Sequence, residues 1–190
     1  MQNKNIVYVN YSPYENQGKI LDFLLERFEN IFLISLSHHS IGKRKLTNKL
    51  TVYQKGKVKE EIYFPLLHVP PQLVFLVLPI RSALNVFQII LKSLWLKKEY
   101  GEIDMYFSVN GFTAWVGVVL RKLGIVRKTI YWVCDYYPVN HKSLVIRIMR
   151  WVYWQLKKKA VTSDILAFHN KRLVEVWKKA GVLPKGYRSL

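Results

Sequence analysis

The sequence predicts an α/β fold with an open parallel sheet flanked by helices, because short apolar runs alternate with amphipathic segments. The clearest alternation is a pair of β-branched and aromatic runs, residues 105–109 and 129–134, on either side of a segment with helical periodicity. A second alternation occupies residues 5–36, at the start of the chain. Parallel strands need crossover connections, and these helical segments can supply them.

The composition is that of a globular chain. Of the 190 residues, 51% are hydrophobic and 14% are aromatic, which excludes a disordered chain and fits one domain, or one domain with a short extension. Cys134 is the single cysteine, so no intramolecular disulfide can form. This cysteine usage fits a reducing compartment.

The net charge is the unusual feature of the composition. Thirty Lys and Arg against 12 Asp and Glu give +18, with an isoelectric point near 10.0. Such an excess indicates a polyanionic neighbour, which could be nucleic acid, an anionic membrane or a phosphorylated substrate. The excess is concentrated in residues 121–159, where Asp135 is the only acidic residue.

The first strand–helix–strand unit is predicted from the apolar residues 5–10, a helix, and the apolar residues 31–36. The helix carries one apolar face, made of Ile20, Leu21, Leu24, Leu25 and Phe28. Gly18 is the only glycine in the turn before it, so the Gly-x-Gly-x-x-Gly dinucleotide fingerprint is absent. Gly18 either lets a substrate approach the helix N-terminus or serves the turn alone.

A β-hairpin is predicted for residues 49–64, with Lys55, Gly56 and Lys57 as its turn. Its many charged residues favour an exposed position, so we expect a β-hairpin insertion in the α/β fold.

The apolar segment 73–96 follows, and polar or helix-breaking residues interrupt it at Pro79, Arg81, Asn85 and Lys92. A charge near the centre of a bilayer costs a few kcal/mol on insertion scales, so the pattern favours an interfacial or core helix over a membrane span. The helix is expected to begin near Pro71 and to bend or restart near Pro79.

The central helix is predicted to begin after Asn110 and to end at Gly124. Its apolar face is predicted to consist of Trp115, Val118 and Val119, with Leu123 close to it.

A right-handed crossover brings the end of each flanking strand to the same sheet edge, where open α/β sheets bind ligands. The residues expected at this edge are Asn110, Gly111, Asp135, Tyr136 and Tyr137.

The last elements are a helix over residues 144–159, a short buried strand over 163–168, and a helix that Asn170 caps and Gly181 ends. For the first helix we predict a basic face with Arg147, Arg150 and residues 157–159. Its opposite face carries Ile146, Met149, Val152, Tyr153 and Leu156. Such a helix either lies on an anionic membrane or is an ordinary surface helix.

The order of these motifs resembles the N-terminal domain of GT-B fold glycosyltransferases, in particular family 4-like acceptor domains. The resemblance rests on four stretches, IVYVNYSPYENQG, EIDMYFSVNGFTAWVGVVLRKLG, KTIYWVCDYYP and TSDILAFHNKRLVEVWKKAG. It implies a Rossmann-like acceptor-binding domain in residues 1–181 and the start of an interdomain linker in residues 182–190. The donor-binding domain of such enzymes has no counterpart in this sequence.

The resemblance further implies transfer of a sugar from a nucleotide-sugar cosubstrate, with retention of configuration, to a lipid-linked or saccharide acceptor. It implies no metal or other cofactor, and residue spacing suggests no metal site. The expected location is the cytoplasmic face of a membrane, where the positive charge would meet anionic lipid.

Asp135 is the candidate for a group that contacts the acceptor hydroxyl or assists removal of its proton, although it could merely cap a turn. It follows Cys134, where many relatives have histidine. Asn110 and Gly111 suit a sugar hydroxyl or phosphate, or form a helix cap. His141 is an alternative base.

Tyr136 and Tyr137 could stack on a sugar ring or form the wall of the sheet edge.

Two other functions remain possible. The chain could be a non-catalytic, membrane-associated subunit of a split glycosyltransferase whose donor site lies on a separate chain. A nucleic-acid-binding module is disfavoured, because the basic residues form no recognisable binding motif.

Overall fold

The computed structural model describes residues 5–12, 18–37, 47–67, 73–134, 136, 138 and 140–183. The elements in chain order are β1 (Asn5–Ser12), α1 (Gly18–Leu25), β2 (Asn30–Ser37), β3 (Asn48–Gln54), β4 (Lys57–Phe64), α2 (Val74–Tyr100), β5 (Ile103–Ser108), α3 (Gly111–Lys122), β6 (Val126–Val133), α4 (Leu144–Ala160), β7 (Ile165–Phe168) and α5 (Lys171–Lys179).

The strands form one seven-stranded sheet in the order β4-β3-β2-β1-β5-β6-β7. Strands β1, β2, β5, β6 and β7 are parallel to one another, whereas β3 pairs antiparallel with both β2 and β4. The α/β prediction is therefore confirmed as a Rossmann-like fold, with the difference that the sheet is mixed. Strands β2 to β4 are added on one side of β1, and strands β5 to β7 are added on its other side. The ligand-binding crevice of such a sheet is expected at the carboxyl ends of β1 and β5, where the strand order reverses.

The predicted hairpin forms, and it extends the main sheet. Strand β3 pairs with β2 along its length, so that its residues from Leu50 to Val52 are buried. Lys55 and Gly56 connect the strands with φ angles of 50° and 76°, the left-handed conformation that a tight hairpin turn requires. The charged residues lie on β4, which is the exposed edge strand.

The helices cover the two faces of the sheet unequally. Helix α1 packs on one face, where Ile20 and Leu24 contact the side chains of Ile6 and Tyr8. Helices α2 to α5 lie on the other face, with α3 between α2 and α4. Right-handed crossovers produce this arrangement, because the chain adds strands toward one edge of the sheet after β1 and toward the other edge after β5.

Helix α3 lies close to the sheet because Gly117 has no side chain. A Cβ atom at this position would lie 2.4 Å from the ring of Tyr106, which is fully buried on β5. The Tyr106 hydroxyl donates a 3.0 Å hydrogen bond to the Thr113 carbonyl oxygen, which joins the same two elements.

The predicted buried face of α3 was wrong. Leu123 is 62% exposed, Trp115 and Val119 are half-buried, and of the four only Val118 is buried. The residues that are buried lie on several sides of the helix: Gly111, Thr113, Ala114, Val116, Gly117, Val118 and Leu120. A helix held between a sheet and two other helices has little free surface, so its periodicity does not identify a single buried face.

The predicted faces of α4 were wrong at two positions, whereas the other four residues of the apolar face are half-buried and Arg147, Lys158 and Lys159 are exposed as predicted. Lys157, assigned to the basic face, is fully buried, and Val152, assigned to the apolar face, is 46% exposed. The exposed surface of the helix includes five apolar residues, namely Leu144, Val145, Ile148, Trp151 and Val152. The sequence of three lysines at its end suggested a common face, although adjacent residues of a helix point in different directions.

Helix α2 begins at Val74 and continues through Pro79, so of the predicted bend or restart the restart does not occur. Pro79 is the sixth residue of the helix, so it removes one intrahelical hydrogen bond.

The last strand is less buried than predicted. Ile165 of β7 is 44% exposed, and its neighbours are half-buried, because β7 is the edge of the sheet. The cap of α5 is as predicted, since the Asn170 side chain accepts a 2.9 Å hydrogen bond from the Leu173 N–H and Gly181 has a φ of 65°.

Candidate functional site

The carboxyl edge of the sheet brings together the ends of β1, β5 and β6 and the first turn of α3. Val9 of β1 pairs with Ser108 of β5, and Ser108 pairs with Tyr131 of β6. The predicted meeting of the two strand ends at one edge is therefore confirmed. Asp135 and Tyr137, the candidate catalytic residue and a candidate stacking residue, lie outside the described residues.

Asn110 caps α3. Its side-chain oxygen accepts a 2.9 Å hydrogen bond from the Thr113 N–H, and the residue is only 6% exposed. The cap interpretation is confirmed, and it orients the first turn of α3 toward the crevice. The positive end of a helix dipole at this edge suits an anionic or hydroxyl-rich ligand.

Position 111 requires glycine, because a neighbouring side chain occupies the space that a larger residue would need. A Cβ atom here would lie 2.3 Å from Cγ of Lys157 and 3.2 Å from the Tyr131 hydroxyl. The missing side chain thus makes room for Lys157, so close approach of a substrate is not needed to explain the glycine. Gly18 is the first residue of α1, the helix that follows β1 in the chain.

Tyr136 and His141 have protein partners. The ring of Tyr136 packs edge-on against Trp154 of α4, with centroids 5.7 Å apart, as expected for a residue of the wall. Nδ1 of His141 accepts a 3.1 Å hydrogen bond from the Ser143 N–H at the start of α4. This bond leaves Nε2 as the ring nitrogen available for other contacts.

Three polar residues that sequence reasoning did not select also lie at or near this edge. The first is Lys157, whose ammonium group lies 5.1 Å and 5.3 Å from the ring centroids of Tyr153 and Trp177. Its spacing of four residues from Tyr153 and three from the buried Ala160 is the signal that places it on the inner face of α4.

The second is Arg81, which is 5% exposed on the sheet-facing side of α2. Its Nη2 donates a hydrogen bond to the carbonyl oxygen of Ser37, the last residue of β2. Burial lowers the pKa of Arg81, and the proximity of Tyr11 opposes this effect.

The third is Asn10 at the end of β1, which is 1% exposed. Its amide oxygen is buried and has no hydrogen-bond partner among the described residues. Buried polar atoms without partners are rare and often mark a place where a ligand or water binds. Asn10 follows Val9, which pairs with β5, so this oxygen lies beside the β1–β5 crevice.

Helix α2 buries three polar residues together with part of its apolar residues, and it exposes a further row of apolar residues. We call the exposed apolar residues of α2 the outer stripe; they are Ile80, Leu84, Phe87, Leu91 and Leu94, each at least 41% exposed. The buried residues opposite are Arg81, Asn85, Ile89, Ser93 and Leu96. Within the described part of the chain, one helical segment, Val77–Tyr100, is by length and composition able to cross a membrane. Its most apolar stretch has a mean hydropathy of 1.3, and 22% of that stretch is buried.

Among the described residues, no group of three or more His, Cys, Asp and Glu side chains could hold a metal ion. No protein-family model matches the sequence, and no curated protein matches it significantly. The resemblance to glycosyltransferases therefore depends on the succession of motifs along the chain, together with the α/β fold.

Proposed function

We propose that this chain is the acceptor-binding half of a glycosyltransferase, which transfers a sugar from a nucleotide-sugar donor to a lipid-linked or saccharide acceptor at the cytoplasmic membrane face. The observation that carries the proposal is the edge between β1 and β5. The unpartnered oxygen of Asn10 lies at the end of β1, and the N-terminus of α3 follows the end of β5, the neighbouring strand. A sugar hydroxyl is both donor and acceptor, so it can bind an unpartnered amide oxygen or the N–H groups of a helix N-terminus.

The placement at a membrane is supported by the exposed apolar residues of α2. The helix buries one set of apolar residues against the sheet, and the outer stripe forms a second apolar set that faces away from the protein. The exposed apolar residues of α4 lie on the same side of the sheet. Basic residues border them, including Arg147, Lys158 and Lys159, which suits an anionic leaflet.

Sugar transfer can be tested on the native protein, isolated through a tag on this chain together with any subunit that accompanies it. The preparation is incubated with labelled nucleotide sugars and a membrane lipid extract, and transfer to lipid or saccharide is measured. We expect one donor to support transfer. Replacing Asp135 by Ala should lower kcat by about 100-fold or more if the carboxylate assists proton removal.

The control variant is Asp22→Asn, which removes a carboxylate from the exposed part of α1, away from the strand ends. Absence of transfer from every donor would contradict the proposal. Unchanged turnover after Asp135→Ala would remove Asp135 from the mechanism and leave the acceptor-binding role to the other residues of the edge.

The second candidate is a non-catalytic subunit of a split glycosyltransferase. It is favoured by the amount of exposed apolar surface on α2 and α4, which could also contact another chain. In that case a second chain that binds the nucleotide sugar should co-purify in equal amount. Transfer should then require both chains, and the Asp135→Ala variant should retain full activity.

A further inference from the structure

Arg81 is a buried charge at the carboxyl edge of the sheet, beside the end of β2. Its side chain points from α2 toward the end of β2, where it donates a hydrogen bond to the Ser37 carbonyl oxygen. Tyr11, near the end of β1, is its other electrostatic neighbour. A guanidinium group stays protonated at neutral pH and has five N–H donors, and a single carbonyl oxygen uses only part of them.

No carboxylate forms an ion pair with Arg81 among the described residues, although six other ion pairs are present there. Buried charges in proteins are normally paired, because removing a charge from water without a partner is costly. The protein thus maintains a positive charge at this place without supplying its counter-ion from the described part of the chain.

Asn85, one helical turn after Arg81, adds donors on the same side. It is 4% exposed, and its side-chain oxygen accepts a 3.1 Å hydrogen bond from Nδ2 of Asn48. This bond directs the amide nitrogen of Asn85 to other partners, and no described residue accepts a hydrogen bond from it. Residues four apart in a helix are neighbours, so the two donor groups lie side by side.

The surrounding hydrogen bonds hold these donors in place. Asn48 accepts a 2.8 Å bond from the Ser37 N–H and donates a 2.8 Å bond to Gln88, so it connects β2, β3 and α2. A binding site needs such support, because donors that are fixed in advance lose little conformational entropy when a ligand binds.

We propose that Arg81 and Asn85 form a binding site for a phosphate-type oxyanion at the carboxyl end of β2. The planar guanidinium group binds two oxygens of a phosphate at once, and the amide adds a third donor. This inference does not depend on sugar transfer. If the chain is an acceptor-binding domain, the anion is the phosphate group of its acceptor; otherwise it is a free phosphate compound.

The test is isothermal titration of the full chain with inorganic pyrophosphate at constant ionic strength. Asn85→Asp places a carboxylate one turn from Arg81 and keeps an oxygen for Asn48. We expect this internal counter-ion to raise the Tm without ligand and to weaken pyrophosphate binding by about tenfold or more. Ala83→Asp is the matched control, because Ala83 is exposed and the substitution adds the same charge on the outer side of α2.

Arg81→Gln should abolish saturable binding of pyrophosphate. If Arg81→Gln does not fold, the Asn85→Asp variant tests the proposal instead.

A second titration with geranyl pyrophosphate identifies the source of the anion. Tighter binding than inorganic pyrophosphate supports a lipid-linked phosphate, and equal or weaker binding supports a free phosphate compound. The proposal is overturned if the wild-type chain shows no saturable binding, or if Asn85→Asp and Ala83→Asp bind pyrophosphate alike.

Discussion

Single glycines decide how closely α3 approaches its neighbours. Gly117 allows contact with Tyr106 of β5, and Gly111 allows contact with Lys157 of α4. Both are buried, and Gly117 lies in the interior of the helix, where glycine is ordinarily unfavourable by about 0.5–1 kcal/mol relative to alanine. The close contacts on two sides of α3 explain why glycine is nevertheless present.

Replacing Gly117 by Ala should therefore destabilise the protein, although the same change in an exposed helix stabilises it. The added Cβ would lie 2.4 Å from the Tyr106 ring, so α3 or the ring must move, at a cost of about 1–3 kcal/mol. Urea unfolding of the wild type and the variant measures the difference. In a Tyr106→Leu background the ring is absent, so the same alanine should cost much less, and an equal cost in both backgrounds would contradict the explanation.

At the scale of elements, the edge strand β7 is attached through Asp164. Its Oδ2 accepts hydrogen bonds of 2.8 Å and 2.9 Å from the Thr129 N–H and hydroxyl, and Arg121 of α3 pairs with its other oxygen. Partial burial tends to raise the pKa of Asp164, but the bonds from Thr129 and Arg121 outweigh it and hold the pKa below its usual value.

This pKa shift makes stability depend on pH. Because the folded-state pKa lies below that of the unfolded chain, the stabilisation is complete above the unfolded value of about 3.9 and is lost as the pH falls through the folded value. We expect Asp164→Asn to cost about 1 kcal/mol near neutral pH, since it removes the charge from partly exposed hydrogen bonds. Below about pH 4 the difference from wild type should shrink.

Urea unfolding between pH 3 and pH 7 measures this effect, with Glu175→Gln as the control, because Glu175 is exposed on α5 and has no ion pair among the described residues. A difference between wild type and Asp164→Asn that stays constant over this range would contradict the assignment.

At the scale of the whole molecule, charge and exposed apolar surface occur together. The net charge is +18, and the helices on one side of the sheet expose the outer stripe of α2 and the apolar residues of α4. Anionic lipid attracts such a surface from a distance, and apolar side chains hold it at the interface. Neither the positive charge alone nor the exposed apolar surface alone distinguishes a membrane from a protein or nucleic-acid partner.

Replacing Phe87 and Leu91 together by Ser should weaken binding to phosphatidylglycerol-containing vesicles by about tenfold or more, since each loses part of its apolar transfer energy. Vesicle co-sedimentation measures this, with Val58→Ser and Tyr63→Ser as the matched pair, because both are exposed on β4. Added salt should weaken the binding of wild type, because it screens the charge. Wild-type affinity in the Phe87 and Leu91 variant would argue against this surface.

The sequence predicted the elements whose signals are local. Strands appeared as short apolar runs, and Asn110 and Asn170 were recognised as caps because the cap bond is made within the same turn. The hairpin turn at Gly56 was likewise local. The face of α3 and two positions of α4 were predicted wrongly, because burial there depends on which other helices lie alongside.

The candidate site was predicted in part. The sequence alone placed the ends of β5 and β6 at one edge, since the handedness of crossovers leaves little choice. It also determined the excess positive charge and the fold class.

Only the tertiary structure decided that Arg81 and Lys157 are buried and that the outer stripe of α2 is exposed. The physical reason is that burial is set by contacts between elements distant in the chain. A charged residue in an apolar helix has the same local sequence whether it faces the sheet or the solvent.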